Sequence, residues 1–167
     1  MYDFRPDESL PPAELHRQLH AAADALTAGE PDAVANMANV AALLWEFLPD
    51  LNWAGFYRVA RAKGESEGEE LVLGPFVGRP ACIRIPFGQG VCGAAARSGE
   101  TQRVEDVHAF PGHIACDAAS RSELVVPVLR DGRVIAVIDL DSPSPARFTR
   151  DDAAGIEALA ALLAARI

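Results

Sequence analysis

The amino-acid sequence predicts an α+β domain with a central antiparallel sheet and with N- and C-terminal helices packed against it. Three observations carry that reading. Helical apolar periodicity is confined to the two ends of the chain, period-2 alternation occupies the middle, and Asp131-Gly132 is a two-residue hairpin signal between two strand-like runs. The 167 residues suit one domain, expected over 1–167 with 1–11 as a flexible N-terminal segment.

The first helix is expected at about Pro12–Leu26, ending near Gly29. A second spans Asp32–Leu48, where Ala33, Met37, Val40, Leu44, Phe47 and Leu48 share a face between Pro31 and the terminating Pro49. Leu51–Val59 then alternates, with Leu51, Trp53, Gly55, Tyr57 and Val59 on one side and Asn52, Ala54, Phe56 and Arg58 on the other. Arg61–Glu70 is a polar hairpin tip, Leu71–Phe76 the returning strand and Ile83–Ile85 a short third. Leu124–Leu129 and Val134–Asp141 form the Asp131-Gly132 hairpin. In the closing helix Thr149 is the N-cap, Asp152 its capping-box partner, and Ile156, Leu159, Leu163 and Ile167 the apolar stripe.

Charge narrows the function classes. Fifteen Lys and Arg against 24 Asp and Glu give a net charge of −9, which opposes binding to nucleic-acid phosphates or to an anionic membrane surface. Apolar runs fall well short of the roughly 20 residues of a membrane span. The acidic start, Met1 to Glu8, lacks the basic and apolar regions of a secretory signal, so a cytoplasmic location is expected.

Three cysteines, Cys82, Cys92 and Cys116, form no C-x-x-C pair, so neither a disulfide framework nor a metal site is expected; a zinc site completed by His108 or His113 is a remote alternative. Cys92 lies where Gly88-Gln-Gly-Val-Cys-Gly runs into an Ala-rich helix, and the helix dipole there favours thiolate. The glycines do not complete a dinucleotide fingerprint, because Gly93 is followed by Ala-Ala-Ala. Cys116 sits in a long loop, three residues after His113 and directly before Asp117, whose charge discourages thiolate.

Carboxylates are the third group. Along Val134–Asp141 one face reads Ile135, Val137, Asp139, Asp141, so two acids continue an apolar strip into a place where crowding would raise their pKa values. An ideal hairpin pairs Leu124 with Asp139 and turns Glu123 to the opposite face. Glu123 joins the set only through a bulge, for which Pro127 is the candidate position. Trp53 and Tyr57 are either plain core or the wall of a small-molecule pocket.

Asn52-Trp-Ala-Gly-Phe-Tyr, Leu73-Gly-Pro-Phe, Ala81-Cys-Ile-Arg-Ile-Pro, Gly88-Gln-Gly-Val-Cys-Gly, Gly112-His-Ile-Ala-Cys-Asp-Ala-Ala-Ser and Ile138-Asp-Leu-Asp-Ser-Pro, in this order from about Thr27 onward, resemble the free methionine-(R)-sulfoxide reductases, enzymes built on a single GAF domain. The longer Arg61–Glu70 tip departs from that pattern. The resemblance implies a GAF fold and a closed pocket for free methionine (R)-sulfoxide. It implies Cys116 as the nucleophile that becomes a sulfenic acid, Cys82 as the resolving thiol that closes a disulfide with it, and Cys92 as a second resolving or relay thiol. It further implies Glu123, Asp139 and Asp141 around the sulfoxide oxygen and ammonium, Trp53 against the methyl group with Tyr57 beside it, no bound cofactor, and recycling by external thioredoxin. A homodimer is left open. On the choice of nucleophile the two readings differ, since dipole reasoning favours Cys92. The alternative function is a sensory GAF module binding a cyclic nucleotide or another small effector; a chain expected to be filled by one domain, with no output domain, argues against it.

Overall fold

The structure is a computed structural model that describes residue 6 and residues 9–64, 68–112 and 117–167. Its centre is a six-stranded sheet, antiparallel throughout: β1 (Trp53–Arg61), β2 (Glu69–Gly78), β3 (Arg84–Pro86), β4 (Gln102–Val104), β5 (Ser122–Arg130) and β6 (Arg133–Ser142), in the order β3-β2-β1-β6-β5-β4. Helices α1 (Pro12–Thr27), α2 (Ala33–Phe47) and α4 (Arg150–Leu163) cover one face, and α3 (Gly90–Ser98) lies on the other. The α+β expectation holds.

Local chemistry accounts for the helices. Asp32 caps α2 by accepting from the Ala35 N–H at 2.9 Å, and α4 opens on the full capping box, Thr149 and Asp152 each bonding the other's backbone. A Cα–Cα turn at Asp131 (φ 52°) and Gly132 (φ 75°) has both central residues in the left-handed region, as a right-twisted two-residue hairpin requires.

Alternation along β1 builds both cores. Ala54 and Phe56 join Leu44, Phe47, Ile138 and Ile156 on the helical side, while Trp53 and Tyr57 face α3 with Val91, Ala95 and Val137. Burying such side chains stabilises the fold by roughly 1.5–3 kcal/mol each. Leu51 differs from its predicted side: it precedes β1 and packs with the helical core. The β1–β2 strands extend further into the Arg61–Glu70 stretch than a polar tip implied, with Arg61 opposite Glu69. β4 and the 3-10 turn Val107–Ala109 were not foreseen, and α4 ends at Leu163, short of Ile167.

The bulge that Glu123 needs exists, but not at Pro127. Arg130 pairs with Arg133 and Leu129 with Val134, and then the register shifts so that Val128 faces Ala136. Ile135 is the extra residue. It and Ala136 both turn toward the helical core, which removes Ile135 from the face assigned to it by simple alternation. Pro127 stays in register opposite Val137; β4 has ended opposite Val125, so β5 has an open edge there, where a missing N–H is tolerated.

Candidate active site

The shifted register assembles the acids. Beyond the bulge Leu124 faces Leu140 and Glu123 faces Asp141, with Val125 opposite Asp139. On the other side of β6, Trp53 faces Asp141, Gly55 faces Asp139 and Tyr57 faces Val137. Two cross-strand rows therefore run over the same face, Trp53–Asp141–Glu123 and Gly55–Asp139–Val125. Gly55 is required by its neighbours: a Cβ there would lie 2.4 Å from the Cβ of Phe76. With only hydrogen at that position, Phe76 crosses over to stack on Trp53 at 5.2 Å, and Trp53 stacks on Tyr57 at 5.8 Å.

Above this face lies a cavity of about 40 Å³, bounded by Trp53, Tyr57, Cys92, Glu123, Asp139 and Asp141, with Arg79–Ala81 and Asp117 at its margin. Six of the eight residues singled out from the sequence thus meet at one place. Cys82 hangs next to it, its carbonyl accepting from the Tyr57 hydroxyl at 3.0 Å, and it is disulfide-bonded. Cys116 and His113 lie outside the described residues.

Electrostatics inside the cavity run toward protonation. Glu123 and Asp139 are each 6% exposed, and burial pushes both carboxyls up. Glu123 is raised well above its ordinary range, with the neighbouring Asp139 and Asp141 charges adding to the effect of burial. Asp139 rises to about 7; hydrogen bonds from Cys92 and Glu123 offset part of what burial does. Asp141 is also held well above its usual value, first by desolvation and then by Asp139. Crowded acids of this kind share protons, and burial favours the acid form of all three.

The same surroundings overturn the dipole argument for Cys92. Its thiol is third in α3, where the dipole favours thiolate, yet it is only 4% exposed and sits 3.9 Å from a Glu123 oxygen. Burial, then the charges of Asp139 and Glu123, raise it well above a normal thiol. A helix dipole is worth about 0.3–1 kcal/mol, less than burial beside two carboxylates costs a thiolate. Cys92, Glu123 and Asp139 also bring one Sγ and two carboxylate oxygens within 4.8 Å of one another, a grouping able to hold a metal ion.

Asp139 Oδ1 is buried with no hydrogen-bond partner. Three contributors escaped sequence reasoning. Asn52 donates to Ser120 Oγ at 3.0 Å and fastens the loop that precedes β5. Ser120 in turn hydrogen-bonds Asp141. Arg79, the sole cation among the described residues lining the cavity, could have been noticed as a basic residue three positions before Cys82.

A curled sheet, a helix N-terminus and a loop closing on a small cavity define a small-molecule-binding domain of GAF type, and residues 32–167 match the GAF domain family. Free methionine-R-sulfoxide reductase of Escherichia coli (strain K12) is 49% identical over 150 residues, 90% of this chain and 87% of that protein. The protein of the same name from Saccharomyces cerevisiae is 44% identical over 155 residues, 90% of this chain and 84% of its own. An X-ray structure of free methionine-R-sulfoxide reductase from Neisseria meningitidis in complex with its substrate shares the fold at a TM-score of 0.90 and 44% identity, over 99% of this chain and 95% of that one. By these matches the chain belongs to the free methionine-R-sulfoxide reductases.

Proposed function

We propose that this chain reduces free methionine (R)-sulfoxide to methionine, taking the electrons from its own thiols and needing no bound cofactor. The observation that carries the reading is the Glu123–Asp139–Asp141 cluster, raised in pKa and walled by Trp53, in a cavity the size of a small molecule's head. Such a cluster does two things a sulfoxide amino acid requires. A proton held between Glu123 and Asp139 is available to the sulfoxide oxygen, which makes the sulfur electrophilic. The remaining negative charge, and the unpartnered Asp139 Oδ1, suit the substrate's ammonium. Arg79 at the margin suits its carboxylate, and the Trp53 ring its methyl group.

Cys116 then attacks the sulfoxide sulfur. Oxygen passes to the cysteine, methionine leaves, and Cys116 becomes a sulfenic acid. Cys82 displaces that oxygen as water and forms the Cys82–Cys116 disulfide, with Cys92 as a further thiol able to exchange into it. A thioredoxin-type dithiol returns both cysteines to thiols. An electrophile activated by protonation removes the need for a preformed thiolate, consistent with acids rather than cations around the site. Cyclic-nucleotide sensing is disfavoured by the same lining, because the carboxyl groups of Asp117, Glu123, Asp139 and Asp141 face the cavity against a single cation, Arg79, among the described residues.

The test is a thioredoxin-coupled assay on the R and S epimers, each free and within a peptide. Turnover is expected for the free R epimer alone, and equal rates with the S epimer or a peptide overturn the reading. Under single-turnover conditions Cys116→Ser should release no methionine; one methionine per chain would move the nucleophile elsewhere.

A further inference from the structure

The acids of the cavity lack a counterion. No ion pair among the described residues reaches Glu123, Asp139 or Asp141, whereas Asp152 has both His16 and Arg147. The Tyr57 hydroxyl, on the same wall, donates to the Cys82 carbonyl instead. Asp139 bonds to Cys92 and Glu123, yet its Oδ1 is buried without any partner. A buried acceptor left unpaired costs about 1–3 kcal/mol, more when it is charged, and a ligand bound there recovers that cost.

Distances between the three groups fit one kind of ligand. Cys92 on α3, Glu123 on β5 and Asp139 on β6 bring one Sγ and two carboxylate oxygens within 4.8 Å of one another. Cys92 Sγ is 3.9 Å from Glu123 Oε1, long for a thiol hydrogen bond. A tetrahedral zinc ion, with Zn–S of about 2.3 Å and Zn–O of about 2.1 Å, holds its sulfur and oxygen ligands about 3.6 Å apart. Side-chain torsions absorb so small a difference. The donor set then selects the ion. A sulfur ligand disfavours calcium and magnesium, which take oxygen, and two carboxylates disfavour copper(I), leaving zinc and its softer relative cadmium.

We propose that Cys92, Glu123 and Asp139 form a binding site for a zinc-like divalent cation, and that this ion and methionine sulfoxide exclude each other from the cavity. The site itself stands on the geometry; the exclusion rests on the proposed reaction. An ion held by the three residues takes Asp139 Oδ1 from the substrate's ammonium and the Glu123 oxygen from the proton the sulfoxide needs. It therefore blocks the chain and does not assist it. Binding is an exchange of protons for a cation: the Cys92 thiol proton and those carried by the two acids pass to the buffer, and no electron moves.

The experiment adds cadmium chloride alone to the oxidised full chain, where Cys82 is disulfide-bonded and Cys92 free, and reads the ultraviolet sulfur-to-cadmium charge-transfer band. A band that saturates at one ion per chain is expected. Cys92→Ser should abolish it. Glu123→Gln and Asp139→Asn should weaken binding by more than the roughly 10–100-fold that loss of an outer contact costs a metal site. Glu46→Gln, at an exposed acid on α2, should change nothing. Zinc chloride should raise the melting temperature of wild type and Glu46→Gln, and not that of the three cavity variants. If Cys92→Ser does not fold, Glu123→Gln, which keeps the side-chain shape, decides the matter. Absence of the band, its survival in Cys92→Ser, or equal affinity of wild type and Glu123→Gln overturns the site. Methionine sulfoxide should displace the ion and lower the band, while equimolar glycine, which chelates through the same amino and carboxylate groups, should not. A band that depends on the three residues but survives saturating sulfoxide keeps the site and overturns the exclusion, and with it the placement of substrate over these acids.

Discussion

At the start of α4, Asp152 has a partner for each of its oxygens. Oδ1 meets His16 Nε2 at 2.9 Å, and Oδ2 accepts from Arg147 at 3.1 Å and from the Thr149 N–H at 2.8 Å and its hydroxyl at 2.9 Å. Across the sheet, Glu123, Asp139 and Asp141 have each other, a thiol and Ser120, and one Asp139 oxygen has nothing. Both groups are buried, and burial pushes every one of these carboxyls up. At Asp152 the bonds from His16 and Thr149 and the Arg147 charge reverse that push and hold the acid at about 2. At Asp139 the reversal is incomplete and the acid stands at about 7. The first group ties α1 to α4; the second spends stability to keep protons where a substrate can use them.

The contrast can be broken most strongly through Glu123. Glu123→Gln keeps the shape but removes the proton supply, so kcat/KM for the sulfoxide should fall about a hundredfold or more while thermal stability holds or rises. An unchanged kcat/KM would take Glu123 out of the mechanism. Asp152→Ala should show the reverse. It takes the Asp152 carboxylate from His16 and Arg147 and removes one half of the α4 capping box, the bond from the Thr149 N–H, a loss on the order of 3 kcal/mol in denaturant melts, with kcat/KM within about twofold of wild type.

Titration sharpens the comparison further. Asp139 has a folded pKa raised from 3.8 to about 7, so its contribution to stability is present below 3.8 and lost as pH rises through 7. Asp152, lowered from 3.8 to about 2, contributes above 3.8 and loses that contribution as pH falls toward 2. Melting temperature measured against pH should therefore drop at both ends for wild type. Asp139→Asn should shrink the neutral limb, a change on the order of 2 kcal/mol, with Glu123 and Asp141 keeping the rest of it, and leave the acid limb in place. The smallest effect is expected from Arg79→Ala: an exposed cation at the cavity margin should change the KM for methionine sulfoxide about threefold, with kcat little altered.

Helix starts were legible because their signals are local: Pro31 stands just before α2, Thr149 caps α4 within three residues of itself, and Asp131-Gly132 states its own turn. β4 was not, since Gln102-Arg103-Val104 is too short and polar to alternate; it is a strand only because β5 lies beside it. The dipole argument for Cys92 failed for the same reason. The dipole acting on it belongs to its own helix, whereas the acids that outweigh it lie 31 and 47 positions further along. For the acids themselves, the sequence identified Asp139 and Asp141 directly. It left Glu123 hanging on a bulge that was anticipated but misplaced, because the shift is absorbed beside the turn by Ile135 and not at the proline.

That single inserted residue makes the hairpin sensitive to parity. Between Leu129 and the cavity, a length change of one residue in either arm exchanges inside for outside all the way to Ser122, sending Glu123 into the aliphatic layer and Leu124 into the cavity. A change of two restores the faces and only slides the acids by one rung. In this arm, then, even insertions are repairable and odd ones are not, and the position of one isoleucine decides whether the face bearing Asp139 and Asp141 has a third acid.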